Sequence, residues 1–384
     1  MSSSDVLIIG AGAIGSAVAY YCTQQGLDVT VVEAGKPAGE TSSKGEGHVR
    51  ISDKTLAPEI ELAQYSLSLY RDELSEQADY WDYQLRGGVM VSSTDASLES
   101  LHSTIAKQRQ LGIEVEMLDV QQLRELEPAL TAEVAGGALY PDDARLAPPK
   151  MVTRLLELAQ QTGARLHTQT RVTGFLRDGE RVTGVQTSRG DFSAGAVVNA
   201  GGPWSGQVAK LAGAYVPVEP RRGYVLVTEA TEPRVFHEVS AAEYLDTVSS
   251  SEADLQGSAV IEALPSREIL LGSSRERMGF SAEGGKAAVD LITRNAQTLF
   301  PFLQDVQIVG SRFGFRPYSP DHLPIIGPDA AVEGLWNATG HEGAGAGLAA
   351  GSGKLLAQVL SGSPPDLNLA PFSPARFISR GERG

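Results

Sequence analysis

The sequence predicts an α/β fold in which an antiparallel-sheet α+β domain is inserted into a discontinuous, Rossmann-like nucleotide-binding domain. Three observations predict it. The chain opens with an apolar strand, a glycine-rich turn, a helix and a second apolar strand, a βαβ unit whose strands must run parallel. Residues 217–315 then offer strand-length segments rich in Val, Leu and Tyr, with one helical pattern among them. Strand, glycine run and helix recur near the carboxy terminus, where the opening domain is expected to be completed. The expected division is 1–85, 140–215 and 320–384 for nucleotide binding, with 86–139 and 216–319 as the substrate-binding domain.

Asp5-Val6-Leu7-Ile8-Ile9 reads as the first strand, Ala17 to Gln25 as the helix and Asp28 to Val32 as the second strand. Helices are expected over 58–74 and 98–111, where apolar residues recur every three to four positions, with a strand at Gly88 to Val91 between them. Met151 to Thr162 is amphipathic. Strands follow at Arg165 to Phe175, Arg181 to Gln186 after a turn at Asp178-Gly179, and Ala196 to Ala200. In the inserted domain the strands are Gly223 to Thr228, Ala259 to Leu264 and Glu268 to Gly272, and the helix is Lys286 to Leu299. Leu335 to Ala338 and Leu348 to Leu360 close the chain as strand and helix, and the proline-bearing tail after Gly362 is expected to be loosely held.

At 384 residues, 42% hydrophobic and 21% charged, the chain suits two domains of a soluble protein. A net charge of −15 disfavours nucleic acid or anionic lipid as partner. The lone cysteine, Cys22, has no internal partner, which fits a reducing cytoplasm. Val6 to Cys22 is apolar enough to suggest a signal peptide or anchor, but no Lys or Arg precedes it and glycines interrupt it, so neither export nor an integral membrane segment is expected.

Those glycines have a better explanation. Gly10-Ala11-Gly12-Ala13-Ile14-Gly15 joins the first strand to its helix, and Glu33-Ala34 ends the second strand, eighteen residues beyond Gly15. Gly10 permits the tight turn, Gly12 the approach of backbone to a pyrophosphate, and Gly15 close packing of helix on sheet. The helix N-terminus stabilises phosphate charge, and Glu33 can accept hydrogen bonds from ribose hydroxyls while repelling a 2′-phosphate. This pattern binds a dinucleotide but does not separate FAD from NAD. Three further segments bear on that choice: Arg171-Val172-Thr173-Gly174 leading on to Ala200-Gly201-Gly202-Pro203-Trp204, then Arg316-Pro317-Tyr318-Ser319-Pro320-Asp321, and Gly340-His341-Glu342-Gly343-Ala344-Gly345-Ala346-Gly347-Leu348 opening the last helix.

With these segments the sequence resembles the D-amino-acid oxidase superfamily over almost its whole length, in particular the branch of glycine oxidase, sarcosine oxidase and amine dehydrogenase flavin subunits. The resemblance implies a tightly held FAD. Gly10, Gly12, Ala13, Ile14, Gly15, Glu33 and Ala34 would hold its ADP half, with Val172 at the adenine and Ala200, Gly201 and Trp204 alongside. Thr41, Ser42 and Ser43, then Gly45, Glu46, Gly47 and His48, match the loop passing the pyrophosphate and the flavin edge. Gly343, Ala344, Gly345, Ala346, Gly347 and Leu348 would lie beneath the pyrimidine end of the ring, where a helix N-terminus stabilises incoming negative charge. Some relatives link FAD through a cysteine near the last motif, which this chain lacks. His48 lies where others use a histidine, and reads here as a hydrogen-bonding group, so FAD is expected to be non-covalent.

Arg316 resembles the arginine that binds substrate carboxylate in glycine oxidase, a task suited to its planar fork; the alternative is a structural bridge to Asp321. Arg50, Arg222, Arg275 and Arg277 are rival anchors, Tyr224 and Tyr244 candidate pocket walls, and His341 and Glu342 candidate contacts to flavin or substrate. The implied reaction is hydride transfer from the α-carbon of an amino acid or related amine, with no metal. Sarcosine oxidases place an oxygen-activating lysine where this chain aligns Leu270, leaving O2, a quinone or a partner subunit as electron acceptor. The alternatives are a flavin-bearing subunit of a hetero-oligomeric amine dehydrogenase and an NAD-linked dehydrogenase; a homo-oligomer is equally open.

Overall fold

A computed structural model describes residues 3–380 and contains two large sheets. In the first, strand Ser4–Ile9 lies between Val29–Val32 and Gly190–Asn199, parallel to both, and Arg165–His167 extends the parallel run beyond Val29–Val32. The long strand Gly190–Asn199 serves two neighbours on its other side. Its first half pairs antiparallel with Arg181–Thr187, and its last residues pair parallel with Leu335–Thr339. The carboxy-terminal strand thereby joins the opening sheet, as expected from the recurring pattern.

The helices Ala13–Gln24, Pro148–Gln161 and Gly345–Leu360 pack together on one face of this sheet around Ala17, Val18, Leu155 and Leu356, all buried. The first and last helices approach so closely that a Cβ on Gly353 would lie 2.7 Å from the backbone of Ala17. Part of the carboxy-terminal glycine content therefore serves helix packing rather than ligand approach.

The second sheet runs from Ile308–Tyr318 through Glu219–Thr228, Ile269–Arg275, Gln256–Ala263 and Glu238–Ala241 to Gly88–Ser92, Gly136–Tyr140 and Glu116–Leu118. Its pairings are antiparallel with one exception: Glu238–Ala241 lies parallel to Gly88–Ser92. The sheet is thus mixed rather than antiparallel throughout. Segments so far apart in sequence are free of the hairpin constraint that makes close neighbours antiparallel. Helix Lys286–Leu299 covers one face with Ala288, Ile292, Ala296 and Leu299, a stripe at helical spacing and almost fully buried.

Two further expectations are corrected. The strand expected over Arg165 to Phe175 is two strands, Arg165–His167 and Val172–Asp178, because Gln169 between them takes φ +53° and its backbone N–H bonds Gly35 O. The described part of the tail, up to residue 380, is docked rather than loose: Phe372 and Phe377 are buried, and the Arg376 guanidinium bonds both oxygens of Asp321 as well as the carbonyls of Leu323 and Pro324. The expectation for 381–384 lies outside the described residues. Among the described residues no helix is long and apolar enough to cross a membrane.

Candidate active site

A cavity with about 1260 Å³ of empty space, its open mouth included, runs between the two sheets. One end is built by the opening βαβ unit. Gly10 takes φ +104°, and a Cβ there would sit 2.6 Å from Ala200 O, so only glycine makes this turn. Helix Ala13–Gln24 begins at Gly12 without a side chain of its own capping it; instead Ala13 N–H donates to Ser42 Oγ at 3.0 Å. The Glu33 carboxylate accepts from Ala11 N–H at 2.8 Å and Gly35 N–H at 2.6 Å, which fixes it beside the turn.

The other wall is the start of helix Gly345–Leu360, which also lacks a capping side chain. Tyr70, buried on the neighbouring helical segment, donates its hydroxyl to Ala346 O at 2.7 Å and anchors this first turn. His341 precedes it. Burial lowers its pKa to about 3, so the ring is neutral; Nε2 lies 2.9 Å from Ser352 Oγ, and Nδ1 is buried without a partner. Two helix N-termini without capping side chains of their own, backbone-rich walls and the orphaned Nδ1 of His341 suit a long, polar, anionic cofactor, and the orphaned Oε1 of Glu46 can accept from its hydroxyl or N–H donors. The residues present fit FAD.

The floor at the far end comes from the second sheet. Gly223 and Gly314 face each other across paired strands, and Arg316 lies two residues beyond Gly314 on the same face. The Arg316 guanidinium crosses Gly223, where a Cβ would collide with it, and donates Nη1–H to Ser274 O at 2.8 Å. No carboxylate is ion-paired with it among the described residues. Burial, and then the charge of Arg275, lower its pKa to about 10, with Glu46 opposing; it stays a cation at neutral pH. The bridge to Asp321 does not form, because Asp321 holds Arg376 instead. Tyr244 lines the cavity nearby, with the Arg275 guanidinium 4.6 Å and that of Arg50 5.2 Å from its ring centre.

His48 lines the cavity with Nε2 at 3.2 Å from Glu262 and 3.3 Å from Glu238, both buried. Arg145 holds Glu262 at 2.8 Å and Arg50 pairs with Glu238. Burial pushes the Glu262 carboxyl up, but His48 and the arginines outweigh it and hold it below the usual range. His48 is thus fixed in a carboxylate network.

The cavity gathers Gly12, Ala13, Ile14, Thr41, Ser42, Gly45 to His48, Ala200, Tyr244, Arg316, His341, Glu342 and Gly343 to Leu348. Others singled out in the sequence lie outside its lining. Gly10, Gly15 and Glu33 shape the turn behind it. Ala34 is exposed, Ser43 donates to Glu40 O, Gly201 sits against Asn199, Val172 packs on the core of the first sheet, and Trp204 stacks on Phe280 at 5.0 Å. Tyr224 is core, Arg222 pairs with Glu276, and Arg277 pairs with Glu219. Leu270 is buried in its strand. Sequence reasoning missed Lys44, Asp53, Lys54, Pro148, Val225, Gly314 and Thr339 in the lining. Val225 was legible as the period-two companion of Gly223; Lys44 and the Asp53-Lys54 pair carried no signal beyond their closeness to the loop.

This geometry is that of a dinucleotide-binding protein, with one cavity between the sheet that carries the glycine turn and the sheet that carries Arg316. The chain belongs to the DAO family, FAD dependent oxidoreductase, whose sequence model matches residues 5–359. It is 32% identical to a glycine oxidase of Pseudomonas aeruginosa, over 97% of this chain and 99% of that protein. It is 28% identical to the hydrogen cyanide synthase subunit HcnC of the same organism, over 97% and 96%. The solved glycine oxidase of Geobacillus kaustophilus superposes with a TM-score of 0.88 at 25% identity, covering 98% of this chain and 99% of that one. The protein is an FAD-dependent oxidoreductase.

Proposed function

We propose that this enzyme oxidises the C–N bond of a small amino acid or related amine, such as glycine or a D-, N-methyl- or cyclic amino acid, to the imine, and is reoxidised by O2 or another acceptor. The observation that carries the reading is the half-buried Arg316 cation in the cavity lining, held by Ser274 O and without an ion-paired carboxylate among the described residues. FAD, bound non-covalently, supplies a two-electron acceptor for the substrate's hydride. The residues of 1–85, 140–215 and 320–384 would hold it, and those of 86–139 and 216–319 would cover the substrate.

Arg316 offers its free guanidinium edge to the substrate carboxylate, and that fork fixes the α-carbon relative to the cofactor. Tyr244 closes the pocket beside it. His341, kept neutral by burial, serves as a hydrogen-bonding group rather than a charge or a base. The first turn of Gly345–Leu360 places backbone N–H groups where negative charge would accumulate. Catalysis on this account is orientation plus a prepared electrostatic field, without a dedicated proton-transfer residue. The HcnC relative favours a second reading, that the chain works as a flavin-bearing subunit beside partners.

The test is anaerobic bleaching of the flavin in the purified holoenzyme by glycine, sarcosine, D-alanine and D-proline. Bleaching by an amine in this group is the expected result. A flavin that stays oxidised with all of them, yet bleaches with a 2-hydroxy acid, would overturn the reading.

A further inference from the structure

Arg316 is not alone in the cavity. Arg50, just beyond the strand His48–Val49, also lines it and is only 5% exposed. Its Nη2 is ion-paired with Glu238, while Nε and Nη1 are buried with no hydrogen-bond acceptor. Arg275 stands behind Tyr244 with its Nη1 on Thr247 Oγ1 at 2.7 Å. Two guanidinium groups, of Arg50 and Arg275, therefore lie against one tyrosine, and Arg316 lines the same cavity as that ring.

Glu46 acts on Arg316 and Asp143 on Arg50 at longer range, but neither is seen to form an ion pair with them among the described residues. Among the described residues Glu238 is the one carboxylate ion-paired with any of the three arginines, and it is shared with His48. Asp53 also faces Arg50 and Arg275, but its ion pair is with Lys54 at 2.6 Å, and Lys54 has Glu59 besides at 3.5 Å. A substrate with one carboxylate would satisfy Arg316 and leave Nε and Nη1 of Arg50, a residue of the cavity lining, without an acceptor. Buried charged donors without acceptors are costly, and a ligand that supplies the acceptor recovers that cost as affinity.

We infer that Arg50 is a second anion anchor and that the substrate is an amine carrying two carboxylates. One would meet Arg316 and the other Arg50. An acidic amino acid and an N-carboxyalkyl amino acid share this chemistry. The inference rests on the amine-oxidation reading above and adds the substrate class to it.

The experiment compares kcat/KM for flavin reduction in the holoenzyme by glycine and D-alanine with that by D-aspartate, D-glutamate and iminodiacetate. At least one dicarboxylate is expected to exceed both monocarboxylates by about tenfold or more. Arg50→Gln should shrink that preference by about 10- to 100-fold, the range for a charge-assisted hydrogen-bonded contact, and Arg50→Lys should restore part of it. Dicarboxylates slower than glycine and D-alanine in the unmodified enzyme, or an Arg50→Gln loss equal for both classes, would overturn the assignment. The unmodified enzyme's preference needs no variant to fold. Titration with malonate and acetate, followed by flavin absorbance, separates the two readings. Should no amine bleach the flavin, malonate binding tenfold tighter than acetate would still support the anchor, and equal binding would refute it.

Discussion

Consider Arg316→Ala. The side chain makes one bond within the protein, to Ser274 O, and its other donors are available to a carboxylate. Hydrogen bonds to charged groups contribute about 1.5–3 kcal/mol each, so losing a two-pronged contact should cost about 3–4 kcal/mol of substrate binding in the transition state. That is roughly a 100- to 1000-fold fall in kcat/KM. Stability should move the other way or not at all. Desolvation and the charge of Arg275 disfavour the Arg316 cation and lower its pKa to about 10, and a partly desolvated charge kept without an ion-pair partner is a concession to function. The assays are steady-state kinetics with a carboxylate substrate, flavin content by absorbance, and thermal melting. The expected variant is yellow, melts no lower than the parent by more than a few degrees, and is saturated only at much higher substrate concentration. A fall of less than about threefold in kcat/KM, or a loss of flavin in step with activity, would refute the role and return Arg316 to structure.

Two further outcomes are expected. Gly10→Ala places a Cβ 2.6 Å from Ala200 O at φ +104°; the purified variant should lack flavin absorbance and melt lower, and a protein as yellow as the parent would contradict the turn's role. Burial lifts the Glu59 carboxyl to about 7, with Lys54 opposing and Asp53 and Glu342 adding to the rise. A folded-state pKa above the unfolded value gives stability that is complete below about 4.5 and is lost as pH rises through about 7. The Tm of Glu59→Gln relative to the parent should therefore climb by a few degrees between pH 5 and pH 8, and a pH-independent difference would count against this.

What the sequence determined by itself was local. A strand, a turn that only glycine can make and a helix occupy about twenty consecutive residues, so Gly10 to Gly15 and Glu33 announced a dinucleotide cradle. The helix Lys286–Leu299 was legible to its last residue because its buried stripe repeats at the helical period. Tertiary structure alone decided the rest. No local pattern tells Glu238–Ala241 to lie parallel to Gly88–Ser92, or Arg376 to take Asp321 and so leave Arg316 without it. Nor does spacing reveal that Arg50 and Arg275 lie against the ring of Tyr244 while Arg316, more than 260 residues from Arg50, shares that ring's cavity. Periodicity records which face of an element is buried, whereas the partner of a buried charge is fixed only when distant segments pack and the last available acceptor is either taken or left for a ligand.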